Sequence, residues 1–250
     1  MKLDQVIKIS LSGLILALVI IFTRFLSIQN IPVLPFVRIS LGPALIIFAS
    51  ILLGPLYGGV IGGASDILGI LLVPNALGFV INPWFTLIYT LLGILPWCFY
   101  QIFKRFSKEK PSFILFSSVL LALWVFVLVY GLTNQAILGH TFETYQLILV
   151  FIISFILCVL VIVGVFFINR YFMKRSNFSV MNIALVCLLS EILIMLIGNS
   201  IVKSIFFEID YLVILFFQGI VFFINIPLNT FVVSYLLKLT NKVFLYKNRP

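Results

Sequence analysis

Eight apolar stretches, divided by short polar joints, limit what this chain can fold into. They run over about residues 6–26, 41–53, 56–73, 83–103, 112–132, 147–168, 180–201 and 212–237. Crossing the hydrocarbon core of a bilayer takes about 20 apolar residues of helix, and only helices and closed barrels satisfy their own backbone there. All but 41–53 are near that length. Of the 250 residues, 63% are hydrophobic and 9% charged, whereas a soluble domain carries about 45–50% and about 25%. A soluble core of this size has no way to hide so much apolar surface. A soluble enzyme, a nucleic-acid-binding module and a disordered chain are thereby set aside. The fold class is an all-α integral membrane protein, one polytopic domain over 1–250. The first stretch is long and lacks a small-residue cleavage pattern after it, so it is expected to be a retained helix. Gly54-Pro55 marks a tight turn that closes the second and third stretches into a hairpin.

Charge placement orients the chain. With the N-terminus in the cytoplasm, only Arg24, Arg38 and Lys203 of the 16 Lys and Arg residues fall outside, and the other thirteen fall inside. That asymmetry sets the topology and places both termini in the cytoplasm after an even number of spans. The net charge of +9 is then an orientation signal, aided by anionic lipid, and implies no nucleic-acid partner. Cys98, Cys158 and Cys187 sit in apolar runs without Cys-x-x-Cys spacing, so neither a disulfide nor a metal frame is expected. His140, in the outer loop between the fifth and sixth stretches, reads as a solvated residue.

The few polar groups within the apolar stretches each need a reason, because a charge at the bilayer centre costs about 2.5–3.5 kcal/mol on insertion scales. Asp66 shares one helix face with Gly54, Gly58 and Gly62, beside a second stripe of Gly59 and Gly63. Small stripes let helices pack backbone to backbone. Asp66 is open to two readings, a proton or substrate site, or a buried acceptor tying this helix to a neighbour. Glu191 is open to a similar pair, a relay or ion site, or a hydrogen-bonded neutral acid. Asn225 and Asn229 flank Pro227 and suit bonds between helices, with a kink at the proline. Asp66, Glu191, Asn225 and Asn229 are accordingly assigned as structural polar groups of the membrane core. The outer basic residues defy the sorting rule, which suggests use. Arg24 ends the first stretch, Arg38 precedes the second, and Lys203 is expected just past the outer end of the seventh. The loop 74–84 on the same side adds Phe79, Asn82 and Trp84. Aromatic faces, amides and cations together suit a flat heterocycle bearing carboxylates; ordinary interfacial anchoring accounts for the same residues. No phosphate-binding loop or hydrolase motif occurs, so ATP-driven transport would need a separate ATPase.

The stretch Phe36-Val-Arg38-Ile-Ser-Leu-Gly42-Pro and the later run Gly54-Pro55-Leu-Tyr-Gly58-Gly-Val-Ile-Gly62-Gly-Ala-Ser-Asp66-Ile-Leu-Gly69 resemble the substrate-binding S component of energy-coupling factor (ECF) vitamin transporters, in its folate-type subfamily. The similarity continues more loosely through 85–96 and returns at Asn199-Ser200 and Ile226-Pro227-Leu-Asn229. It implies a bundle of six core spans, so about 111–174 would be an added helical hairpin, giving eight. It implies capture of a vitamin, folate or a related compound, from outside by Arg38, Arg24, Phe79, Asn82, Trp84, Asn199, Lys203 and Gln218. Gln218 stands where the folate-type last helix tends to carry a basic residue; Lys203 is a candidate substitute. The resemblance also implies that Gly13 and Ala17, a Gly-x-x-x-Ala pair, face a membrane coupling protein, and that two ATP-binding subunits burn the ATP. This chain would then hold no cofactor and catalyse nothing. Two alternatives stand beside this. A proton-coupled secondary transporter would use Asp66 and Glu191, yet the glycine-rich motif has no counterpart in the second half, as repeats would require. An intramembrane aspartyl protease needs two close carboxyls, and Glu191 is the only other acid within the membrane stretches.

Overall fold

The computed structural model describes residues 5–28, 39–73, 81–104, 109–133, 136–137, 140–141, 144–173 and 179–247. Apart from short joints, the described chain is helical but for a two-residue β pairing of Ala136–Ile137 with His140–Thr141 and a single antiparallel bridge between Ile28 and Ile39. Helix α1 spans Gln5–Ile20 and widens into a π-helical turn at Ile21–Phe25; α2 is Gly42–Leu53, α3 Pro55–Leu72, α4 Pro83–Lys104, α5 Glu109–Thr133 and α6 Thr144–Met173. Helix α7, Val180–Ser190, runs through a π-helical segment, Glu191–Gly198, into α8, Asn199–Phe207; α9 is Tyr211–Lys247. Seven of these helical runs are long and apolar enough to cross a membrane, and Gly42–Leu53 is shorter. The eight stretches and their order agree with the sequence. One boundary differs. The seventh run continues to Phe207, so Lys203 lies inside that span instead of past its end, because Ile201, Val202 and Ile205–Phe207 prolong the apolar helix around it.

At twelve residues α2 reaches about 18 Å, too little for a bilayer, and it is the buried centre of the bundle. Ten of its residues, from Gly42 through Ser50 plus Leu53, are buried, packed by α1, α3, α4 and α9. A helix apolar all round has to be enclosed on every side. Gly54 ends it with φ +100°, a left-handed conformation open to glycine, and Pro55 starts α3 at a position that needs no amide donor.

The glycine stripe of α3 sets the crossing with α4. A Cβ at Gly58 would run into the Gly93 carbonyl, one at Gly93 into the Gly58 carbonyl, and one at Gly62 into the Tyr89 carbonyl. The two backbones therefore touch. Pro96, inside α4, removes a helix donor; the next amide, Trp97 N–H, donates to the buried Ser50 Oγ at 3.1 Å and ties α4 to α2. Gly62→Val is expected to destabilise the protein by at least the 1–3 kcal/mol typical of overpacking, because the obstacle is backbone. Gly13→Val, at a glycine with open space around it, is the control and should leave the unfolding midpoint in detergent unchanged. Equal midpoints for the two variants would remove the stripe from the α3–α4 contact.

The α5–α6 hairpin packs on α7 and α9. Phe116, Leu120, Cys158, Val161 and Val165 meet Met181, Leu185, Leu188, Phe222 and Phe223 in one apolar cluster, and Trp124 Nε1 donates to Ser154 Oγ at 3.2 Å across the hairpin. At the end bearing Lys104 and Ser179, Asn182 Nδ2 donates to the Phe103 carbonyl at 3.0 Å, and Ser112 Oγ donates to Asn182 Oδ1 at 3.3 Å. The hairpin is thus joined to the α4–α7 contact by a polar clamp.

Candidate functional site

Asp66 has an ionic partner. Arg24, expected at an outer cavity with Arg38 and Lys203, instead lies with Asp66: Nη2 donates to Asp66 Oδ1 at 3.3 Å and to the Asp66 carbonyl at 3.3 Å. Both side chains are 5% exposed. Thr86 of α4 donates to the other carboxylate oxygen, Oδ2, at 2.9 Å. Gly69 follows Asp66 by one turn and leaves the space the guanidinium fills: a Cβ there would lie 3.2 Å from Arg24 Cζ and Nη2. Arg24 also falls within the π-helical turn of α1. Such turns are rare and frequent at functional sites. The lone membrane aspartate is therefore the centre of a lock joining α1, α3 and α4. Of its two readings, the buried acceptor describes this arrangement. Thr86 escaped notice in the sequence, although Thr86 and Thr90 form an i, i+4 polar pair on an otherwise apolar helix.

The lock sits beside the anchored entry to α2. Ile28 and Ile39 exchange both backbone hydrogen bonds, at 3.0 and 3.1 Å. Ser40 Oγ donates to the Phe22 carbonyl at 3.1 Å and accepts from the Gly42 amide at 3.1 Å. Ile39 follows Arg38 in sequence. Arg38 and Phe79 themselves lie outside the described residues. Asn82 uses its Oδ1 to accept from the Trp84 amide at 2.9 Å, so it caps the start of α4. Trp84 is 64% exposed.

A second polar group forms where α8 meets α9. With the Gln218 amide turned to suit its neighbours, its oxygen accepts from Lys203 Nζ at 2.9 Å, and its nitrogen donates to the Met195 carbonyl at 2.7 Å and to Ser200 Oγ at 3.1 Å. Lys203, Gln218 and Asn199 are half-buried and Ser200 is buried. Phe206, one turn beyond Lys203, meets Phe85 of α4 edge to face at 6.2 Å between ring centroids. Three elements that carry the expected outer residues, the start of α4, α8 and the start of α9, thus converge at one end of the bundle. Ser200 was visible in the sequence only as the neighbour of Asn199.

Glu191 opens the second π-helical segment and is 1% exposed. Asn229 Nδ2 donates to its carboxyl, and Asn229 is fully buried. The pair joins the seventh span to α9, while Asn225, one turn earlier and half-buried, does not join it among the described bonds. Helix α9 continues without a break through Pro227. Gly13 and Ala17 are both exposed on α1.

Among the described residues, seven apolar helices of bilayer length and a shorter buried one define a multi-pass membrane protein. Residues 8–143, over half of the chain, match the family described as "ECF transporter, substrate-specific component". The chain belongs to that family. It is 34% identical to the folate transporter FolT of Clostridium novyi (strain NT) over 122 residues, which are 49% of this chain and 62% of that relative. It therefore spans under two thirds of the relative's length. No solved structure matches. The family match runs through α5 as far as 143, and so includes the first helix of the α5–α6 hairpin.

Proposed function

We propose that this chain captures folate or a related vitamin at the outer membrane surface for an ECF importer. A membrane coupling protein and two ATP-binding subunits would complete the machine and supply the energy, with no cofactor held by this chain. The observation that carries this reading is the 34% identity with a protein named as a folate transporter, within a family of substrate-specific components. The chemistry of the outer end supports it. Trp84, Phe85 and Phe206 supply aromatic faces, and Lys203 supplies a cation within one helical turn of Phe206. A flat ring with carboxylates needs both. Arg24, held by Asp66, supports this end of the bundle from behind, and Arg38 is left as the cation of the first outer loop.

Arg38→Ala is expected to weaken binding by more than about tenfold, the loss of one charge-assisted bond, without changing the unfolding midpoint. Unchanged affinity in the purified protein would remove Arg38 from the site. The α5–α6 hairpin is proposed as an addition to a six-span core, flanking α7 and α9. The identity of the ligand is tested by purifying the chain from its native membrane and analysing the small molecule that comes with it by mass spectrometry. A folate supports the reading, and a different vitamin or an amino acid overturns the folate assignment.

A further inference from the structure

Glu191 lies well inside the seventh span, Val180–Phe207, and is buried. An ionised carboxylate in such a place is costly unless something meets its charge. Its hydrogen-bond partner is a neutral amide, Asn229 Nδ2 of α9. The π-helical segment that starts at Glu191 packs against α4, α7, α8 and α9. From α7 the Cys187 thiol, one turn earlier, lies within electrostatic reach. Among the described residues, α4, α8 and α9 bring no charged group against Glu191. Asn229 has a matching deficit. It is fully buried, and its Oδ1 has no donor among the described residues. A water there would satisfy that oxygen and leave the carboxylate charge unmet. A metal cation would meet the charge and be repelled by the Asn229 N–H that already points at the carboxyl. A proton on Glu191 answers both needs with no further atom.

We infer that Glu191 and Asn229 form a proton-binding site within the membrane, closed by a reciprocal pair of hydrogen bonds: the amide N–H donates to Glu191 Oε1, and the carboxyl O–H, on Oε2, donates to Asn229 Oδ1. A carboxylic acid and a primary amide each present one donor and one acceptor side by side. The pair therefore satisfies itself and carries no net charge. It fastens the seventh span to α9 at the point where α-helical winding gives way to π-helical winding. The ligand of this site is the proton, whatever compound the chain captures at its outer end.

The test uses the purified full-length chain in nanodiscs at neutral pH, where an exposed glutamate is ionised. The infrared difference spectrum of wild type minus Glu191→Gln should contain the carbonyl stretch of a protonated acid. Glu191→Gln sets a second amide against the first and keeps one donor and one acceptor. It should hold the unfolding midpoint within about 2 °C of wild type. Glu191→Leu strands both polar atoms of Asn229 and should lower the midpoint by about 5 °C or more. Carboxylate bands in place of the acid band would overturn the inference. So would equal midpoints for the Gln and Leu variants, or a wild-type midpoint that rises with sodium while that of Glu191→Gln does not. The spectrum decides alone should Glu191→Leu fail to accumulate.

Discussion

Asp66→Leu is expected to lower the stability of the purified protein by about 3–5 kcal/mol, the cost of removing one member of a buried ion pair. Arg24 would then keep its charge in a buried setting, and Thr86 would lose its nearer acceptor and keep the Asn82 carbonyl at 3.5 Å. The signature is in the double variant. Arg24→Met with Asp66→Leu should recover most of the loss, because two apolar side chains replace two charges and leave neither unpaired. Asp66→Asn should fall between, since its amide keeps an oxygen for Thr86. Unfolding midpoints in detergent measure these three and Arg24→Met alone. A double variant as unstable as the sum of the singles would mean that the pair acts independently and is no lock.

Ala17→Trp is expected to reduce uptake in whole cells to background while ligand affinity of the purified chain stays within about twofold. Gly13 and Ala17 lie exposed on one face of α1, four residues apart. A small pair of this kind allows another helix to approach to backbone distance. Among the described residues nothing lies within 4 Å of a Cβ at Gly13, which leaves room there for a partner helix. An indole at Ala17 would hold a partner helix away without entering the bundle. Loss of binding alongside uptake would make the face an internal packing element after all.

Much of the architecture was legible before any coordinates. Apolar length fixes a span almost by itself, because lipid leaves the backbone no other partner. The Gly58–Gly62 stripe likewise announces a close helix contact, and it finds one at Gly93 and Tyr89. The pairings between helices were not legible. Helical periodicity states which residues share a face, and says nothing about which face of another helix they meet. Arg24 and Asp66 are 42 residues apart in sequence; Arg24 alone reads as a ligand cation, and Asp66 alone reads as a structural acceptor whose partner the sequence does not name. The resemblance alone points to Gln218 as a ligand-facing position. Its neighbours show that both N–H donors and one acceptor site are engaged by the seventh span. The π-helical turns at Arg24 and Glu191 have no composition signal, since they arise where a polar side chain finds its partner on another element. The outer end of the seventh span lies further along than the sequence suggests, for a related reason. Lys203 looked like a terminus, yet the apolar residues after it continue the helix to Phe207.

In the proposed function capture and energy are separate: this chain would bind the vitamin, and other subunits would drive its passage. It is tested most directly by measuring folate binding and uptake in the same cells, with and without the ATP-binding subunits. Binding to the membrane should persist when those subunits are removed, and uptake should stop. Uptake by this chain alone, driven by a proton gradient and lost in Glu191→Gln, would contradict it.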